Sequence, residues 1–417
     1  MSRAADIAFR VFVLLLIVLG LGAAVPVVVA LQDPPALTVH EWGTFTSIAG
    51  PDGQAMQWLP LGGPTDLPCF VHTYENRRYK FIPPELGELL DYQAARAGLK
   101  GTVRMETPVL YFYADRPASA WVRVGFPQGL FTEFFPYADV RQVPSYQNIL
   151  QRPEHHSVPA AMVWPSVSIQ PGTSPKFPTD GSRSHYYAAR ETDAAPVRVG
   201  DDYEKFLFYR GVAGFAVPIS THLLADGRIR VKNLSQHPMP QLIVFAKYDG
   251  KFGYRVHDGL AAGAETTLEQ PTLSGSLPSL RAHLEQTLVT QGLYPKEASA
   301  MVETWSDDWF DDGTRVFYVV PQAEVDAMLP LQIVPKPAAV ARVFVGRMEI
   351  ITPRSEADVA RALDVNDTRL LEAYGRWLGP IGDRIIAKTT AQYKKDALLA
   401  RLDSIFKIYL ARVTACH

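Results

Sequence analysis

Short apolar runs rich in Val, Ile, Phe, Tyr and Trp, each closed off by proline or glycine, recur along most of this chain. They include "VRMETPVLYFYAD", "AWVRVGFP", "LFTEFFPYADV", "EKFLFYRG", "PQLIVFAKYDG", "TRVFYVVP" and "AVARVFVGRMEIITP". β-Branched and aromatic side chains suit a pleated, half-buried surface, while proline cannot donate to a ladder and is confined to strand ends and edges. With 33 prolines set between such runs, the chain is directed away from a helical bundle and toward many short strands.

Helical signals are local. "PPELGELLDYQAARAGL" reads as a short helix opened by Pro84 and closed near Gly98, following a hairpin turn at "AGPDGQ". "SLPSLRAHLEQTLVTQGL" and "YPKEASAMVETWSDDWF" read as two more, the second with apolar Ala298, Met301, Val302, Trp305 and Trp309 three and four apart. The tail from Ser355 to Val413 is also helical in pattern. The expected class is therefore α+β: a β-sandwich-like, strand-rich body with a helical insertion and a helical C-terminal tail. "HYYAARETD" is read as one of the strands of that body.

A chain of 417 residues exceeds the usual span of one core. The change of character after Ser274 divides it into a β-rich domain over 36–273, with a Pro-rich loop at 143–184, and an α/β region over 274–417. The formal net charge is -2 and no basic run occurs, which excludes nucleic acid as a partner.

Residues 1–31 stand apart. Arg3 and Arg10 precede the uncharged segment "VFVLLLIVLGLGAAVPVVVAL", and Val28 and Ala30 supply the small-residue pattern of a signal peptidase site. Two fates stay open: cleavage near Ala30, or retention of residues 11–31 as an inner-membrane anchor, since ~20 apolar residues also span a bilayer. Both place the body outside the cytoplasm, periplasmic or secreted. Membrane contact is expected only through the uncleaved segment.

Cys69 and Cys416 are the only cysteines; in an oxidising compartment they either pair across a very long loop or remain thiols. Four residues after His40 stands Thr44, so the HExxH face of a zinc protease helix is missing. Cys69 and His72 have a metal-like spacing, but on an extended segment residues three apart face opposite ways. His155 and His156 are adjacent, and His185, His222, His237 and His257 are isolated. The acidic "SDDWFDDG" (Asp307, Asp308, Asp311, Asp312) lacks the register of a calcium loop and reads as a solvated helix end. No nucleophile elbow, phosphate loop or dinucleotide fingerprint is present.

What remains is a set of ionisable residues inside runs that otherwise read as buried strand: Glu41, Glu106, Lys205, Arg210, Arg347 and Glu349. A buried unpaired charge is costly, so each requires a partner, water or a function. Alternation sets Arg347 and Glu349 on one face, where they would pair with each other. It puts Glu41 with Val39 and Phe45, and His40 with Trp42 on the opposite side, so that only a bulge near Gly43 would bring His40 and Glu41 to one site. If these groups share a pocket, Glu41 or Glu106 serves as general base or ligand to a divalent metal. His40 or His185 is then the proton-transfer or ligand partner, and Arg190 or Arg210 the anion clamp.

"VHEWGTFTS" near the mature N-terminus, "ETPVLYFY", "EKFLFYRG" and "RVFVGRMEIITP" resemble an uncharacterised family of exported bacterial proteins that carries the VHEWGTFTS motif. The resemblance implies an envelope or secreted setting and brings no activity, cofactor or catalytic residue with it. Two functions stand beside each other: an exported hydrolase acting on an extracellular or envelope substrate, and a non-catalytic β-sandwich protein that binds a small-molecule or polymer ligand or takes part in assembly.

Overall fold

The computed structural model describes residues 36–62, 67–73, 99–142 and 159–414. The leader, the helix expected at 84–98, His155 and His156, and 143–158 of the Pro-rich loop lie outside the described residues.

Strands are numbered along the chain. The main sheet has nine, in the order β14 (Lys251–His257), β13 (Leu242–Tyr248), β16 (Gly313–Val320), β18 (Ala339–Ile350), β1 (Leu37–Ile48), β3 (Val103–Ala114), β10 (Leu207–Ala213), β5 (Gly129–Phe135) and β2 (His72–Thr73). β1 runs parallel to β18 and antiparallel to β3 at the middle of the sheet. This arrangement removes the boundary expected between 273 and 274, because β16 and β18 from the far side of it lie inside the same sheet as β1 and β3. Ala36 onward forms one compact unit.

One face of the nine-stranded sheet packs on two smaller sheets. These are β17 (Leu331–Val334), β4 (Ala118–Phe126), β7 (Ala160–Ile169), β8 (Val197–Val199) and β9 (Asp202–Glu204), with β6 (Asp139–Arg141) beside β7, and a three-stranded sheet of β11 (Ile219–Leu223), β12 (Ile229–Asn233) and β15 (Glu265–Leu268). Val39, Phe45, Met105, Leu110 and Tyr209 meet Val122, Trp164, Ile219 and Val231 in this sandwich core. The opposite face is covered by helices. Leu277–Thr290 and Pro295–Thr304 bury Leu280, Leu284, Met301 and Val302 against Trp42, Val109 and Phe317. Pro353–Val365, the 3-10 helix Gly375–Trp377, Leu378–Lys388 and Gln392–Thr414 close over Ile48 with Val359, Leu363, Trp377, Ile381 and Leu402. The α+β, sandwich-like class and the helical tail are thus present. Among the described residues no helix is long and apolar enough to cross a membrane.

Three local expectations differ. The Pro-rich loop contains β7, a ten-residue strand from 160 to 169. Its Pro165 and Ser166 are exposed at the point where the register with β4 skips, which is where a ladder tolerates proline. "HYYAAR" is a 3-10 helix, His185–Arg190, whose first N–H groups are met by the Ser184 hydroxyl, 3.1 Å from the Tyr186 nitrogen. Among the described residues directly after the turn at 50–54, isolated bridges, Ala49 to Ala55 and Trp58 to Gly101, stand in place of a full hairpin.

Candidate functional site

β1 is buried on both faces, and the alternation of its side chains decides where its charges go. Glu41 enters the sandwich core. Its Oε2 receives Arg342 Nε at 2.5 Å and its Oε1 receives the Tyr209 hydroxyl; Arg342 Nη1 continues to Asp326 Oδ1 at 2.8 Å. Burial pulls the Arg342 pKa down, but Glu41, Tyr209 and Asp326 outweigh it and the net shift is upward. Burial and the Glu41 charge raise Tyr209 well above its ordinary value, so the phenol stays protonated. This trio is an ion pair that the fold consumes.

His40 lies on the helical face. Its Nδ1 stands 2.7 Å from Glu297 Oε2, within hydrogen-bond reach. Glu297 is fully buried at the first turn of Pro295–Thr304, where it also accepts from the Tyr294 backbone N–H (2.7 Å) and the Tyr113 hydroxyl (2.8 Å). The His40 ring is flanked by Tyr294 and Tyr113, with centroids 4.5 and 5.4 Å away. No hydrogen bond is made by Nε2 among the described residues.

Farther along the same face, between the two helical clusters, runs a band of charge. The register of β1 and β3 skips between Trp42 and Thr44, and the extra residue lies in β3 at Thr107–Pro108. That bulge puts Glu106 on the helical face together with Val109 and Tyr111. Thr107 takes the unusual φ of 45° there, and Arg210 Nε and Nη2 approach its hydroxyl at 3.4 and 3.3 Å. Glu106 accepts from Arg376 Nη1 and stands 3.4 Å from Arg104 Nε in an ion pair, while Arg376 Nη2 donates to Asp308 Oδ2 at 2.9 Å. On the other side of β1, Arg315 Nε stands 2.9 Å from Glu349 Oε2, and its two terminal nitrogens donate to the carbonyls of Trp309 and Asp312, each at 2.8 Å. Gly313, at φ 123°, gives Glu349 room: a Cβ there would fall 2.4 Å from its Oε1. Arg347 lies against Asp311 at 3.5 Å and over the Trp377 ring at 4.6 Å.

Burial sets the electrostatics of the band. It raises Glu349 despite Arg315 and Arg347, and lowers Arg347 to about 10 with Arg315 adding to the effect. Burial, then the Asp308 charge, push Asp311 up to about 7.

The six residues expected to share a site therefore occupy four places. Glu106 and Arg210 lie near each other, Arg210 approaching the hydroxyl of Thr107, the next residue after Glu106. Glu41 is on the far side of the sheet. His40 is ~13 Å from the Glu106 level, four residues along β1 at about 3.3 Å each. Arg190 is held by Glu204 (2.9 and 2.6 Å), the Pro178 carbonyl and the rings of Phe177 and Tyr187, so it is no free anion clamp; His185 heads the same 3-10 helix. The bulge near Gly43 does not unite His40 with Glu41, because its extra residue belongs to β3. Arg347 and Glu349 share a face but pair with Asp311 and Arg315 and not with each other. Cys69 is disulfide-bonded and unfit as a metal ligand, with Cys416 outside the described residues. Among the described residues no three His, Cys, Asp or Glu side chains gather as a metal would need.

Asp308 and Asp311, read from the sequence as part of a solvated helix end, pair instead with Arg376 and Arg347; sequence reasoning missed Glu297, Arg376, Arg342 and Tyr209. Glu297 alone carried a local signal, as the third residue of a helix opened by proline. The others come together only through the fold.

No protein-family model matches this chain, and no curated protein matches it. Among solved structures it is similar to the mu-homology domain of Fcho1 from Danio rerio with bound Eps15 peptide, at 8% identity and TM-score 0.28, over 76% of this chain and 97% of that one. It is similar also to the mu-homology domain of yeast delta-COP-I, at 8% identity and TM-score 0.28, over 76% and 98%. Likenesses of this strength assign neither family nor activity.

Proposed function

We propose that this is an exported bacterial envelope protein that works by binding a ligand and not by turning one over. The leader, with Arg3 and Arg10 ahead of its apolar segment and small residues at Val28 and Ala30, supports export. The observation that carries the binding reading is the use already made of the charges at Glu41, Glu106 and Arg190. Glu41 is consumed by Arg342 and Tyr209, Glu106 by Arg104 and Arg376, and Arg190 by Glu204. A general base must reach a substrate proton, and these carboxylates reach guanidinium groups inside the protein. N-terminal sequencing of protein from the periplasmic and membrane fractions checks export. A panel of ester, glycoside, phosphoester and peptide substrates, with and without chelator, checks the rest: turnover lost in Glu106→Gln at an unchanged melting temperature would refute the binding reading.

One observation favours the hydrolase reading, and it concerns His40. A buried carboxylate fixes Nδ1 and leaves Nε2 without a protein partner among the described residues, as in a histidine that takes a proton from water. In that reading Nε2 accepts a proton from the attacking water and returns it to the leaving group. Turnover abolished by His40→Gln would establish it.

A further inference from the structure

The middle of the helical face of β1 is small. His40 and Trp42 stand at one end of that face and Ile48 at the other, with Thr44 and Thr46 between them. Thr46 sits opposite Arg347 of β18 on one side and Arg104 of β3 on the other. Both threonine hydroxyls are fully buried, and neither has a hydrogen-bond partner among the described residues. The same is true of Nε, Nη1 and Nη2 of the fully buried Arg347, whose ion-pair contact among those residues is Asp311 at 3.5 Å. Trp377, beneath the guanidinium, buries its Nε1 in the same state.

Glu349 Oε2, on the same face of β18, is an acceptor in the same state and stands 2.9 Å from Arg315 Nε; the rest of this surplus leans to donors. Guanidinium and indole N–H groups only donate, and a hydroxyl donates as readily as it accepts. A buried donor left unmet is costly, so several at neighbouring positions on one face favour an occupant rich in acceptors. We propose that Arg347, Thr44 and Thr46 form a buried site for a small tetrahedral oxyanion such as phosphate. The planar fork of Arg347 matches two oxygens of such an ion, and the two hydroxyls lie on the adjacent strand to meet others. Asp308, which pairs with Arg376, and Asp311, which contacts Arg347, are the exposed partners here, with side chains 33% and 21% exposed. Asp311 is the group that yields: it contacts Arg347 loosely, and burial has already pushed its carboxyl up to about 7. The assignment rests on the binding reading above and gives that reading a ligand class.

The test uses the full chain, with melting temperature and titration calorimetry read against inorganic phosphate and against chloride at matched ionic strength. Because Arg347→Met removes a buried guanidinium and endangers folding, Thr46→Val, which keeps shape and charge, carries the test. The expected result is a saturable rise in melting temperature with phosphate and none with chloride, and a Kd about tenfold weaker in Thr46→Val, the loss of one hydrogen bond to a charged group. A wild-type protein indifferent to phosphate, with Thr46→Val more stable in every buffer, would overturn the site: an orphan hydroxyl in a dry interior behaves so. Turnover of a panel substrate alongside intact phosphate binding overturns the binding reading and leaves the site standing.

Discussion

Replacing Glu41 by Gln tests whether the embedded charges serve the fold. The substitution keeps the shape of the side chain and removes its charge, leaving the Arg342 guanidinium, 1% exposed, with Asp326 alone, and Asp326 is itself 53% exposed. Loss of one partner of a buried ion pair costs about 3–5 kcal/mol. A Coulomb estimate at ~4 Å and an effective dielectric of ~20 gives about 4 kcal/mol, in the same range. Unfolding entropy of about 2.1 cal/mol/K per residue over a body of roughly 380 residues comes to ~0.8 kcal/mol/K, so the melting temperature should fall by about 4–6 °C. Scanning calorimetry of wild type, Glu41→Gln, Arg342→Met and the double variant measures it. The double variant, which strands no charge, should lose clearly less than the two single losses combined. A fall under about 1 °C in Glu41→Gln, or strict additivity in the cycle, would refute the reasoning.

Asp311 should leave a signature in pH. Its folded pKa, about 7, lies above the ordinary 3.8, so the folded state holds the extra proton between those values and the stability it contributes at low pH is lost as pH rises through 7. The melting temperature of wild type minus that of Asp311→Asn should therefore decline from pH 4 to pH 8; a flat difference would remove Asp311 from the buried band. Gly313→Ala forces a Cβ at φ 123° to within 2.4 Å of Glu349 Oε1 and should destabilise by at least about 2 kcal/mol in urea unfolding, where a neutral result would show that the strand shifts freely. Exchanging residues 40 and 41 in the pair His40→Glu, Glu41→His preserves composition and should abolish soluble folded protein, whereas a cooperative melting transition in that variant would show that the two faces of β1 are electrostatically interchangeable.

The strands were legible wherever side chains alternate without interruption. In β18 the period of two places Arg347 and Glu349 on one face correctly, yet same-strand neighbours two apart stand ~6.6 Å from each other, and a residue directly across on the next strand comes within about 5 Å. Arg315, opposite Glu349 on β16, therefore wins the contact. Glu106 was the harder case. Alternation through "METPVLYFY" ties it to Leu110 and Phe112, which face the sandwich core, and the Thr107–Pro108 bulge reverses that assignment with no signal beyond a proline in a strand. The partners that complete the band, Asp308, Asp311 and Arg376, lie some two hundred residues or more further along and reach it from a helix end and a turn; no local periodicity encodes such a meeting.

The opening stretch of β1 gains its meaning from this two-sidedness. A central strand buried on both faces has little in its apolar pattern to fix its register, since a slip by one residue exchanges one greasy face for another. Adjacent opposite charges remove that freedom. In the observed register Glu41 meets Arg342 and His40 meets Glu297. Shifted by one residue, Glu41 would turn toward the buried Glu297 and His40 toward Arg342, setting acid against acid and base against base. Each mismatch costs several kcal/mol in a water-free interior, more than the pairs need to contribute in the native register. The charges in "VHEWGTFTS" thus act chiefly by making every other alignment of the central strand unfavourable, and that role requires neither His40 nor Glu41 to touch a substrate.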